Sequence, residues 1–499
     1  MQTDKKFLLL FSKRSPSFPL IALSFLTLAR LAVAAAMPLA PDEAYYWVWS
    51  RDLAPGYLDH PPMVALWIWA GTALLGDGAL GVRLLAPLSA ALGSILLARA
   101  GEDLLPGRHA GLIAAGLLNA TLLFGVGAVT MTPDTPVLLF WTAALWALGR
   151  LVATGQAHWW LVAGGAIGLA ATSKYTGLLL GFGVLVWVLA VPAMRPWLRR
   201  PAPWLGGMLA VLVFAPVLAW NAAHGWASFA KQGGRAGVFD FARAPQFLGE
   251  LIGGQLGLAT PVIAVLCAAG MVLAGRRLRD RDPAWSLLAA LSLLPALLFL
   301  EHALGDRVQA NWPAVIYPAA AIAAAGLGGR WHRAILPGIA LGFALTLVAW
   351  TQATLAPLAL PMRLDPTLLR LGGWERLAAD IEVERTKAGA EFVVSDNYGH
   401  AALLARLLPP ATPVYAMEAR WRYFTLPPAA IAGRTGLLIR STRRDAASPE
   451  GWAEISQTGT LERARHGMTA EGFRLYRVTG RADGGTAGGE PVVLLPRPR

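Results

Sequence analysis

Two adjacent carboxylates, Asp42 and Glu43, follow Pro41 at the end of the first long apolar stretch, with Tyr45, Tyr46, Trp47 and Trp49 just behind them. Charge at a membrane boundary costs free energy unless it is solvated or used. The pair is therefore either the wet edge of a loop or part of a reaction centre. Asp59-His60-Pro61-Pro62 and Thr132-Pro133-Asp134-Thr135-Pro136 have the same character: an acid set among prolines that stiffen the backbone around it. Lys174 interrupts a long apolar run at Ser173-Lys174-Tyr175-Thr176. An ammonium there needs a carboxylate or an anionic ligand unless it snorkels to the interface. Arg235 is a second cation, Arg83 lies near the start of a helix, and Asn311-Trp312-Pro313 opens a later apolar segment. Singly, each has an ordinary reading as a solvated turn, a loop charge or an interfacial anchor.

Acids beside cations under a membrane surface suit the departure of a phosphate from a sugar carbon attacked by a hydroxyl. Cations hold the phosphate and stabilise its charge as it leaves, and a carboxylate takes the proton from the hydroxyl. Phosphate leaves without being protonated, so the second carboxylic acid of a glycosidase is not required.

The elements that must position these residues are membrane spans. Of 499 residues, 56% are hydrophobic and 15% charged, where a soluble chain carries about 25% charged residues. Apolar segments recur from Phe18 almost to Ala356, each near the about twenty residues that cross a bilayer. Net charge is +13, but the basic residues come in short bursts: Arg195, Arg199 and Arg200; Arg276, Arg277, Arg279 and Arg281; Arg330 and Arg333. That is the pattern of cytoplasmic loops under the positive-inside rule, and it builds no nucleic-acid groove. Cys267, the only cysteine, sits in an apolar run as a packing residue.

With the N-terminal Lys5, Lys6, Lys13 and Arg14 inside and the first apolar stretch kept as an uncleaved helix, about eleven spans result (range about 10–13). Residues 63–75 lie at the outer interface, 159–191 form a hairpin with its polar turn at Lys174, and 221–255 form an outer loop. Every arginine burst then falls inside, and Asp42, Asp59, Asp134, Lys174, Arg235 and Asn311 all fall outside. The expected fold is a polytopic α-helical membrane domain over 1–356. A small α/β domain follows over 357–480, outside by the count, and a disordered tail over 481–499.

In order, Asp42-Glu43-Ala-Tyr-Tyr-Trp, Asp59-His-Pro-Pro, Arg83, Thr132-Pro-Asp-Thr-Pro, Ser173-Lys-Tyr-Thr-Gly and Asn311-Trp-Pro resemble glycosyltransferase family 39. This GT-C fold group contains protein O-mannosyltransferases and bacterial lipid A aminoarabinose transferases. The resemblance covers roughly 18–356. It implies an inverting transferase of the bacterial inner membrane that uses a polyprenyl-phosphate sugar, with chemistry on the periplasmic side and lipid A, a glycan or a protein as acceptor. Asp42 matches the catalytic base, with Glu43 its neighbour and competitor, and Asp134 the second acidic position. Lys174 resembles the phosphate-binding lysine and Arg235 the loop arginine. Arg83, His60, Tyr45 and Tyr175 are further donor contacts, and Asn311 and Trp312 line the substrate. Where relatives carry a Glu-Lys pair, this chain has Asp59-His60, which exchanges a permanent cation for a titrating one. Asp59 with His224 is a weak candidate pair for a divalent metal. The competing class is a transporter or flippase of lipid-linked sugars, which needs polar residues or broken helices near the midplane.

Overall fold

The structure, a computed structural model, describes residues 17–234, 237, 239–444, 451–481 and 491–498. The chain forms two compact units. One takes the described residues up to Ala32 with Pro55–Val64 and Leu84–Ala349; the other takes Val33–Ala54, Ala65–Arg83 and the described residues from Trp350 onward. The unit carrying the C-terminal domain thus also takes in two early segments, Val33–Ala54 and Ala65–Arg83.

The helices are α1 (Ser17–Ala36), α2 (Pro41–Arg51), α3 (Met63–Leu75), α4 (Ala79–Arg83), α5 (Leu85–Leu104), α6 (Ala110–Asn119), α7 (Leu122–Gly127), α8 (Asp134–Thr154), α9 (Trp159–Ser173), α10 (Leu178–Ala190), α11 (Pro201–Ala223), α12 (Ala227–Gly233), α13 (Ala244–Leu258), α14 (Pro261–Arg277), α15 (Pro283–His302), α16 (Tyr317–Ala325) and α17 (Arg330–Thr354). Among the described residues, seven helices are long and apolar enough to cross a membrane by length and composition, and five shorter apolar helices accompany them. The protein is a polytopic α-helical membrane protein. Leu205, Met208, Val211 and Leu212 stay exposed on α11, as a lipid-facing stripe requires.

Within the first unit, α9 lies against α11 through small residues. A Cβ on Gly164 would fall 2.0 Å from the Gly206 carbonyl oxygen, and one on Gly168 would fall 2.8 Å from that of Ala210. Helices in lipid gain by such close backbone approach, since burying apolar surface gives them little. The apolar run over 159–191 breaks at Lys174, whose extended backbone (φ −157°, ψ 144°) ends α9 and leads through a 3-10 turn, Tyr175–Gly177, into α10.

Two stretches between the expected spans are helical. α2 begins with Pro41 in its first turn, and the Glu43 side chain returns to accept the Ala40 N–H at 3.0 Å, the capping logic of a helix N-terminus. Within 221–255, α12 and α13 form; α13 buries Ala244, Phe247 and Leu251, an i, i+3, i+7 stripe.

In the second unit come α18 (Pro366–Arg370), α19 (Trp374–Lys387) and α20 (Tyr398–Leu407), with strands β1 (Phe392–Ser395), β2 (Val414–Met417), β3 (Thr435–Ser441), β4 (Glu454–Arg465), β5 (Met468–Thr479) and β6 (Val492–Leu494). The six strands make one sheet in the order β4-β5-β3-β1-β2-β6. β1 is parallel to β2 and β3, while β5 and β6 run antiparallel to their neighbours. All four residues of β1 are buried, as a central parallel strand covered on both faces should be. The expected disordered tail needs correction, because β6 pairs with β2 through Leu494 opposite Tyr415; residues 482–490 and 499 lie outside the described residues.

Candidate active site

Glu43 and Arg83 form a closed unit. Arg83 Nε and Nη2 donate to the two Glu43 carboxylate oxygens at 2.7 and 2.6 Å, and Nη1 and Nη2 reach the carbonyls of Ala34, Met37 and Pro38 at 3.0, 2.5 and 2.8 Å. A guanidinium has five N–H donors, and these contacts use all of them in a fully buried setting. Arg83, expected as a donor contact, instead ties the end of α1 to α2. Glu43, expected as a catalytic candidate, is its partner and the cap of α2. Tyr45 is likewise not an exposed donor contact: its ring is buried against Trp49 and Trp421, with centroids at 5.1 and 5.6 Å.

Asp42, one residue earlier on α2, points elsewhere and is half-exposed. Its Oδ1 accepts the Tyr398 hydroxyl at 3.0 Å, and its Oδ2 lies 3.7 Å from Nη1 of the exposed Arg370. Both partners come from the C-terminal domain, and the sequence held no signal for either. Tyr398 opens α20 directly after Asn397, whose side chain caps that helix by accepting the Gly399 and His400 N–H groups.

In the other unit, Asp134 stands at the first turn of α8. Its Oδ1 accepts Lys174 Nζ at 2.6 Å and its Oδ2 accepts Asn311 Nδ2 at 2.7 Å. Three separated motifs thus meet at one carboxylate. Lys174 is 5% exposed, so snorkelling is excluded and its charge is balanced locally by Asp134, as a cation in an apolar wall demands. Trp312 follows Asn311 at the start of a 3-10 turn, with its indole 5.8 Å from the His302 ring.

Just beyond the break, Tyr175 Oη shares a hydrogen bond with Ser228 Oγ at 2.7 Å and accepts from Asn221 Nδ2 at 3.2 Å. Lys231 of the same α12 region pairs with Asp59 at 2.5 Å, and Gln232 donates to the Asp59 carbonyl at 2.6 Å. His224 Nδ1 bonds its own helix at Trp220 O, 2.7 Å away, with the ring stacked on Trp220. Asp59, the expected metal candidate, is thus engaged by a cation and His224 Nδ1 by its own helix, and among the described residues no group of three His, Cys, Asp or Glu gathers. Burial, reinforced by Lys174 and Lys231 and opposed by Asp59 and Asp134, lowers the His60 pKa to about 4. With its pKa there, the His60 imidazole is neutral near pH 7 and does not replace the cation expected at this position. Arg235 lies outside the described residues.

Residues 59–220 match the family model described as dolichyl-phosphate-mannose-protein mannosyltransferase, a stretch that includes Asp59, Asp134 and Lys174. The chain is 29% identical over 366 residues to the lipid A galacturonosyltransferase RgtD of Rhizobium johnstonii, covering 71% of this chain and 75% of that protein. Its fold is similar to the crystal structure of ArnT from Cupriavidus metallidurans bound to undecaprenyl phosphate, with TM-score 0.61, 14% identity, and 93% and 98% of the two chains covered. The apo form of that protein gives TM-score 0.58 at the same identity and coverage.

Proposed function

We propose that this chain, a membrane protein of the GT-C fold similar to glycosyltransferase family 39, is a transferase that moves a sugar from a polyprenyl-phosphate donor onto an envelope glycolipid of the lipid A class. The observation that carries this reading is the buried Lys174 ammonium, held by Asp134 where an apolar run breaks. An ammonium has three N–H donors, and among the described residues Asp134 is its hydrogen-bond partner. The others are suited to oxygens of the donor phosphate, whose charge grows as the sugar–oxygen bond breaks. Asp134 orients Lys174 and is poorly placed to take a proton, because protonating it would leave the buried ammonium without its charge partner.

Asp42 is the base. It takes the proton of the acceptor hydroxyl while that oxygen bonds to the anomeric carbon and the polyprenyl phosphate leaves from the opposite face, which inverts the centre. The arginine bursts support an inner-membrane protein whose chemistry faces the periplasm. The galacturonosyltransferase relative makes a uronosyl donor the first to assay, and aminoarabinosyl and hexosyl donors follow. The matching family model and the Rhizobium relative are both described as transferases, which leaves the flippase reading without support.

The test is transfer by purified protein in detergent from a panel of polyprenyl-phosphate sugars to lipid A, with wild type and Asp42→Asn compared. Mass spectrometry of envelope glycolipids from a deletion strain should lack one sugar. A strain with unchanged glycolipids would point to a glycan or protein acceptor instead.

A further inference from the structure

The carboxylate assigned above as the base is gripped by the C-terminal domain. We propose that Tyr398 is a positioning residue for Asp42, so that the C-terminal domain completes the catalytic apparatus. The proposal rests on the reading of Asp42 as the base. Tyr398 Oη donates to Asp42 Oδ1 at 3.0 Å, which fixes the carboxyl plane and turns Oδ2 toward the exposed side where Arg370 lies. A half-exposed aspartate otherwise samples several rotamers, and a base a fraction of an ångström out of place loses rate.

The hydroxyl is itself held on three sides. The Tyr398 ring packs on Tyr45 with centroids 4.5 Å apart. The Arg420 guanidinium lies 3.8 Å above the Tyr398 ring and pairs with Glu418 at 2.9 Å. Glu418 also accepts the Tyr398 backbone N–H at 3.2 Å. A cation over the ring face draws electron density from it and makes the phenol a better donor. The next residue shows how tightly the parts meet: a Cβ on Gly399 would fall 2.7 Å from Cβ of Pro41, the residue before Asp42. Glycine at 399 lets the start of α20 reach the start of α2.

Tyr398→Phe removes the hydroxyl and leaves the ring packing. In an otherwise unaltered protein it should lower kcat about tenfold or more, the usual loss for one hydrogen bond to a charged group, with the donor KM and melting temperature unchanged. In the Asp42→Asn background the same change should lower the residual rate less than about twofold, because the group it positions is gone. Gly399→Ala keeps the hydroxyl but displaces it, and should reproduce the fall in kcat. A loss from Tyr398→Phe of equal size in both backgrounds overturns the positioning role, as does an unchanged kcat. If Asp42→Asn by itself transfers at the wild-type rate, the assignment of the base has failed, which is a separate outcome.

Discussion

Arg83 holds Glu43 through both carboxylate oxygens, and neither side chain is accessible. Forty positions separate them in the chain, yet together they close the end of α1 onto α2 and leave Asp42 as the neighbouring acid that faces outward. Removing one partner of such a buried pair typically costs about 3–5 kcal/mol. Glu43→Gln should therefore lower the melting temperature in detergent and the yield of folded protein. A normally stable Glu43→Gln with selectively lost transfer would reinstate Glu43 as a catalytic group.

Asp42→Asn should behave oppositely. Its carboxylate is half-exposed and its loss strands no buried cation, so folding and donor binding should persist while transfer falls at least about 100-fold, the lower end for losing a general base. Turnover of the purified variant, set beside its melting curve, separates the two effects.

Lys174 is assigned to the donor phosphate. Lys174→Ala should weaken binding of the polyprenyl-phosphate donor strongly, and Lys174→Arg should restore only part, since a planar fork replaces a compact ammonium. Asp134→Asn should weaken it too, by releasing the ammonium from its 2.6 Å partner. Donor affinity unchanged in all three variants would remove Lys174 from the site.

His60 makes a pH prediction. Its pKa falls from 6.5 to about 4 on folding, by burial first and then by Lys174 and Lys231. The unfolded chain thus binds the extra proton between these values, and stability falls as pH drops through that window, by at most about 1.4 kcal/mol per unit. His400, buried in the C-terminal domain, is lowered to about 4 as well and contributes in the same direction. His60→Gln should flatten the acid slope of the melting temperature between pH 6.5 and 4 only in part; an unaltered slope would contradict the burial of His60.

Topology is testable without activity. A reporter fused after Arg279 should be cytoplasmic and one fused after Gln352 periplasmic, because an arginine burst precedes the first point and a further span precedes the second. Both reporters on one side would overturn the threading.

The sequence by itself determined which segments are apolar helices, where the long run over 159–191 must break, and that Lys174 needs an anion, because hydropathy and charge act locally along the chain. For the C-terminal domain it showed the α/β class. It did not show α2, whose polar and aromatic residues mask a helix begun by Pro41 and Glu43. What only the tertiary structure decided are the partners: Arg83 for Glu43, Asn311 for Asp134, Lys231 for Asp59, Tyr398 for Asp42. Arginine in a span and tyrosine after a strand look alike in sequence whether they bind substrate or lock the fold. The distinction lies in which donors are already used, and that is set by packing between segments up to 356 positions apart.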